Sequence, residues 1–200
     1  MDSASDSAQA AIEAIDAVLP QTQCTRCGYE ACRPYAQAIV LEGAAINRCP
    51  PGGPDGIRAL SALTGQAELP LNPDCGQAGP PLLALINPGQ CIGCTLCIAA
   101  CPVDAIVGGF KKMHRVIRED CTGCELCLPP CPVNCISLVP HPDRAHWTAE
   151  AASQARTRYQ ARQARLHERT VSKEARQTDK RRQLLQAARQ KAQAKRATQT

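Results

Sequence analysis

The stretch that decides the fold is Cys91-Ile92-Gly93-Cys94-Thr95-Leu96-Cys97-Ile98-Ala99-Ala100-Cys101-Pro102. It returns 30 residues later as Cys121-Thr122-Gly123-Cys124-Glu125-Leu126-Cys127-Leu128-Pro129-Pro130-Cys131-Pro132. The echo continues past each run, as Pro102-Val103-Asp104-Ala105-Ile106 and Pro132-Val133-Asn134-Cys135-Ile136. Short apolar runs flank both halves at Leu82–Ile86, Ala105–Val107, Val116–Ile117 and Ile136–Val139. Each has the length of a strand, and Gly108-Gly109 between the halves predicts a turn.

The spacing C-x2-C-x2-C-x3-C-P is that of a bacterial [4Fe–4S] binding run. Three closely spaced thiolates wrap one side of a cubane, and the loop is too tight to return its fourth cysteine to the same cluster. That fourth ligand crosses to the other cluster. One ligand set is therefore Cys91, Cys94, Cys97 and Cys131, and the other is Cys121, Cys124, Cys127 and Cys101. Zinc ribbons use paired C-x2-C arms at a long separation, so zinc fits this run poorly. Gly93 and Gly123 let backbone N–H groups approach the cluster. Ile92, Leu96, Ile98, Leu126 and Leu128 are expected to form its dry shell. Burial and hydrogen bonding then set the potential within roughly −700 to +450 mV.

Working outward, composition agrees with bound metal. The chain has 200 residues, 14 of them cysteine, and only 2% aromatic residues. So few large side chains build a small core, and such domains need staples. The N-terminus carries Asp2, Asp6, Glu13 and Asp16, which does not fit a secretory signal. No stretch is long and apolar enough for a bilayer span. The reading is a cytoplasmic chain, where thiols stay reduced and clustered cysteines are metal ligands rather than disulfides.

Residues 21–69 form an earlier module in which Cys24-x2-Cys27-x4-Cys32 is followed by Cys49. On spacing alone these four thiols could hold iron–sulfur or zinc. Pro34 and Gly43 bracket one helix, and a second is expected near 56–64 with Asp55 as its cap. Residues 1–20 read as an amphipathic helix stopped by Pro20, and 70–81 as a linker holding Cys75, which is not expected to be a ligand. Residues 82–140 are the repeat domain. Cys135 follows the second run and is expected to fill a packing role. Lys111, Lys112, His114 and Arg115 read as a solvated hairpin face, and none of the four histidines is given a catalytic role.

Residues 141–200 form a basic Ala/Gln/Arg-rich tail, helical or disordered. Residues 1–140 hold 8 basic and 13 acidic side chains, and 141–200 hold 15 and 5. The acidic body thus carries net −5 and the tail net +10. Such a tail can be a solvated extension, dock on an acidic partner or anionic lipid, or contact nucleic acid through Lys180–Arg182 and Lys195-Arg196. The low aromatic content argues against nucleic acid.

The run from Cys24 to Ile39, the segment Ile46-Asn47-Arg48-Cys49-Pro50-Pro51-Gly52-Gly53, and the Cys131–Ile136 ending resemble the RnfB family of the Rnf/Rsx electron-transport complex over about residues 8–140. The resemblance implies a third [4Fe–4S] cluster on Cys24, Cys27, Cys32 and Cys49. It also implies redox partners among the other subunits of a membrane complex that couples ferredoxin and nicotinamide redox chemistry to ion movement. Members of that family usually begin with a hydrophobic anchor, which residues 1–19 do not form, so association with the cytoplasmic side of the membrane would be peripheral. The expected fold is α+β: a small helical Fe–S module, then a pseudo-twofold 2×[4Fe–4S] ferredoxin domain. The expected function is single-electron relay by a carrier rather than catalysis. The alternative is structural clusters with a tail that contacts nucleic acid or another anionic partner.

Overall fold

The computed structural model describes residues 3–197, with side chains described for 5–187. The side chains of Lys195 and Arg196 lie outside the described residues. The chain divides into two units, residues 1–159 and 160–200.

The first unit opens with three helices, α1 (Ser3–Val18), α2 (Cys32–Glu42) and α3 (Gly53–Thr64). Ile12, Ile15 and Leu19 lie on one stripe of the α1 period, and all three are buried. They pack with Tyr35, Ile39, Ile46, Ile57 and Leu60 into one apolar cluster that also contains Cys27, Cys32 and Cys49. Gly43 and Gly65 end α2 and α3 in the left-handed conformation (φ 67° and 72°), each returning its N–H to a carbonyl of the last turn. The third helix starts earlier than the expected 56–64. Pro54 and Asp55 fall inside its first turn, so Asp55 complements the helix dipole rather than capping the end. The segment after α3 folds back on this module: Asn47 Nδ2 donates to Pro70 O, and Asn72 N to Asn47 O. A 3-10 turn at Pro73–Cys75 then buries Cys75.

The repeat region supplies β1 (Leu82–Ile86), α4 (Leu96–Ala100), β2 (Ile106–Gly109), β3 (Lys112–Val116) and β4 (Ile136–Pro140). The strands form two antiparallel pairs. β1 pairs with β4 so that Ala84 faces Leu138 and Ile86 faces Ile136. β2 pairs with β3, with Ile106 opposite Val116. The hairpin turn lies one step beyond the expected Gly108-Gly109. These glycines end β2, the ladder is irregular there, and Lys111 (φ 58°) makes the turn.

The last helix, α5 (Ala149–Ala197), begins inside the first unit. Ala151, Ala152 and Ala155 are buried on one face, where side chains this small let the helix backbone come close. Arg156 pairs with the buried Asp16 at 3.4 Å. Arg158 Nε donates to Val103 O (2.9 Å), and Trp147 Nε1 donates to Pro20 O (2.6 Å). The start of the tail thus ties the helical module to the repeat region, a packing role its sequence did not suggest. In the second unit, residues 160–187 are helical and exposed apart from the half-buried Arg162. Among the described residues no helix is long and apolar enough to cross a membrane.

Candidate metal centres

Each cysteine run is wound by the same backbone. Gly93 and Gly123 have φ 70° and 65°, Thr95 and Glu125 have 66° and 67°, and Asp104 and Asn134 have 51° and 48°. Left-handed residues alternating with ordinary ones turn successive N–H groups toward a common centre, a concavity suited to an anion. Both glycines are also forced by close packing. A Cβ at Gly93 would stand 2.5 Å from Lys112 N, and one at Gly123 would stand 2.6 Å from Leu82 O.

The thiols surround two hollows. One is lined by Cys91, Cys94, Cys97 and Cys131, with Ile86, Ile92, His114, Val133, Cys135 and Ile136. The other is lined by Cys101, Cys121, Cys124 and Cys127, with Ala84, Val103, Ile106 and Leu138. Each hollow joins three thiols of one run to the last thiol of the other. Among the described residues no three Cys, His, Asp or Glu donors converge on one ion position. Four soft thiolate donors spaced around a dry hollow fit a cubane iron–sulfur cluster. The expected shell is met in part. Ile92 lines the first hollow although its side chain is largely exposed, Ile98 and Leu128 pack half-buried against the apolar cluster, and Leu96 is exposed. Leu83, Val103, Ala105 and Ile106 add fully buried side chains that the spacing did not name.

The helical module brings Cys24, Cys27, Cys32 and Cys49 together. Burial, and after it the neighbouring Cys32, Cys24 and Cys27, push the Cys49 thiol well above its ordinary value. The Cys32 thiol is pushed up to about 12, first by burial and further by Cys24 and Cys27. The cradle is built by polar backbone contacts. Gln21, Gln23 and Thr25 all have positive φ (56°, 56° and 61°). Gln23 Oε1 accepts from Cys32 N at 2.9 Å. Arg48 Nε donates to Cys27 O, also at 2.9 Å. The donor set is again all thiol, the soft-donor chemistry that an iron–sulfur cluster takes. Cys75, in the segment 70–81, is buried and lies near enough to Cys27 to raise that thiol slightly, after the larger effect of burial.

Burial also raises Cys27 and Cys97, Cys124 to about 11 and Cys127 to about 12. Metal must therefore displace protons to bind these thiols. Cys131 goes the other way. Burial acts upward, but hydrogen bonding from the backbone after it, Cys135 first, and from the Cys135 thiol outweighs it. Such bonds favour the thiolate. Cys135 is buried with its Sγ 3.5 Å from that of Cys131.

One contact contradicts the sequence reading. His114 is not on a solvated face with Lys111, Lys112 and Arg115. It is 3% exposed, and its Nδ1 lies 3.2 Å from Cys97 Sγ. Alternation along β3 turns His114 inward while Met113 and Arg115 stay out. The signal was available in the repeat: the residue 30 positions earlier is Ala84, so the strand position is an inward one.

Thiol-only sets around dry hollows, on short loops of left-handed backbone, define an iron–sulfur protein with a four-cysteine module and a two-run domain. Residues 84–138 match the 4Fe-4S dicluster domain family, and residues 19–51 match the FeS family of Fe-S cluster domains. Three relatives are each named as the B subunit of an ion-translocating oxidoreductase complex. That of Alkalilimnicola ehrlichii is 57% identical over 135 residues, which is 66% of this chain and 73% of the relative. That of Thiobacillus denitrificans is 57% identical over 136 residues, 68% and 72% respectively. That of Azoarcus sp. is 56% identical over 106 residues, 53% of this chain and 58% of the relative's own length. This chain belongs to that family of B subunits, the RnfB type. It is an iron–sulfur electron-transfer protein that carries [4Fe–4S] clusters.

Proposed function

We propose that this chain relays single electrons through three [4Fe–4S] clusters as a subunit of an ion-translocating oxidoreductase complex, peripheral on the cytoplasmic side of the membrane. The first cluster sits on Cys24, Cys27, Cys32 and Cys49, the second on Cys91, Cys94, Cys97 and Cys131, and the third on Cys101, Cys121, Cys124 and Cys127. The domains are 21–69 for the first and a pseudo-twofold ferredoxin at 82–140 for the others, with 1–20 the segment that carries α1, 70–81 a linker and 141–200 the tail. The observation that carries the reading is the pair of four-thiol hollows, each closed by the crossing cysteine of the other run. Each cluster supplies one-electron chemistry when bound. The protein's part is to hold it, exclude water and fix the distances between centres.

The route between the modules runs through the third site. Thr122 Oγ1 donates to Thr22 O at 3.1 Å, and Arg26 pairs with Glu125. These contacts bind the loop around Cys24 to the loop around Cys121 and Cys124. On these contacts the order is first, third, second, with the second site at the far end of the line. The other subunits of the complex are the redox partners at its two ends.

Anaerobic purification with iron and acid-labile sulfide analysis tests the reading. About twelve irons per chain are expected from three cubanes. About eight would remove the first cluster, and zinc without sulfide would overturn the reading.

A further inference from the structure

The two halves of the cysteine repeat are not equivalent around their hollows. The 30-residue offset superposes Ala84 on His114 and Gly108 on Leu138. Ala84 and Leu138 face each other across β1 and β4, and both line the hollow of Cys101, Cys121, Cys124 and Cys127. In the other half the sizes are exchanged: the large side chain is His114 and the small residue is Gly108. The fit is tight. A Cβ at Gly108, whose φ is 147°, would stand 2.5 Å from His114 Cδ2. The imidazole lines the hollow of Cys91, Cys94, Cys97 and Cys131. Its Nε2 is buried without a partner among the described residues, so the Nδ1 contact with Cys97 Sγ at 3.2 Å is the ring's polar contact.

We propose that His114 is a positioning residue that raises the reduction potential of the second cluster above that of the third, by a hydrogen bond to Cys97 that Ala84 cannot supply. This rests on the ligand sets of the relay reading. A ligating thiolate only accepts, so Nδ1 carries the proton and donates. Reduction adds negative charge to the cluster and its sulfurs. A donor aimed at one sulfur therefore stabilises the reduced state more than the oxidised one, and the potential rises. Ala84 offers a methyl group at the matching position and no such bias. Because the second site is the far end of the line, the difference favours electrons settling there.

The test uses the full chain, loaded with clusters, and begins with the iron and sulfide analysis. Fewer than eight irons per chain would remove the relay reading itself and not merely the role of His114. In loaded protein, EPR-monitored redox titration is expected to show one potential falling in His114→Leu while the other two stay fixed. His114→Asn, whose amide N–H stands near the position of Nδ1, is expected to recover much of the loss. Equal shifts in the Leu and Asn variants, or no shift in either, would overturn the proposal. A readout on the unaltered protein covers a variant that fails to hold its clusters. Labelling with 15N-histidine is expected to add a nitrogen hyperfine coupling to one reduced cluster signal only. Absence of that coupling would also overturn it.

Discussion

Gly93 and Gly123 stand where any side chain would strike the backbone of the neighbouring segment, at φ 70° and 65°. Their reading as openings for N–H groups is only half of the reason for them. Gly93 O accepts from Lys111 N at 2.9 Å, so the first cysteine loop is also sewn to the β2–β3 hairpin. Gly93→Ala is expected to cost about 1–3 kcal/mol of backbone strain, read as a lower denaturation midpoint and loss of cluster absorbance. Gly43→Ala, at φ 67° but with open space around its Cβ position, should be destabilising yet leave the iron content unchanged. At this scale the thiols were legible because ligand spacing is a local property of the chain. The place of His114 and the burial of Cys75 were not. Whether a side chain meets a sulfur depends on which strand face or which returning turn carries it, and no spacing rule encodes that.

At the scale of elements, α5 shows how much a polar helix can do without an apolar stripe. Its first turns bury alanines and hold Asp16 with Arg156, while Gln21 Nε2 donates to the same carboxylate at 2.9 Å. Removing the cation leaves a buried carboxylate with a single neutral donor. Arg156→Ala is expected to lower stability by about 1–3 kcal/mol, measured by chemical denaturation of the loaded protein. Arg176→Ala, in the exposed stretch of the second unit, should change it by no more than about 0.5 kcal/mol. The helices and strands themselves were readable from Pro, Gly and apolar spacing, with ends shifted by a few residues at α3 and at the β2–β3 turn. The contribution of residues 149–159 was not readable. Alanine is a good helix former anywhere, and only a partner surface turns it into a packing residue.

At the scale of the molecule, Thr22–Thr122, Arg26–Glu125 and Trp147–Pro20 join the helical module to the repeat region. If electrons pass along the line first–third–second, the strongest magnetic coupling in fully reduced protein should involve the first and third clusters. Replacing both Arg26 and Glu125 with alanine should weaken that coupling in EPR relaxation measurements while the second cluster's signal is unchanged. An unaltered first-cluster signal would show that this contact does not set the distance.

By itself the sequence determined how the cysteines group, four in the helical module and two runs in the repeat, and which glycines let the loops turn. Both follow from short-range geometry: what eleven residues can wrap, and where a missing Cβ frees the backbone. Only the tertiary structure decided which neighbour each sulfur meets. Contacts such as Thr22 with Thr122 or Arg156 with Asp16 join residues a hundred or more positions apart. Packing selects such pairs after the chain has folded back on itself. The repeat is symmetric in the four cysteines of each run, and the two centres are made unequal by an imidazole against one and a methyl group against the other.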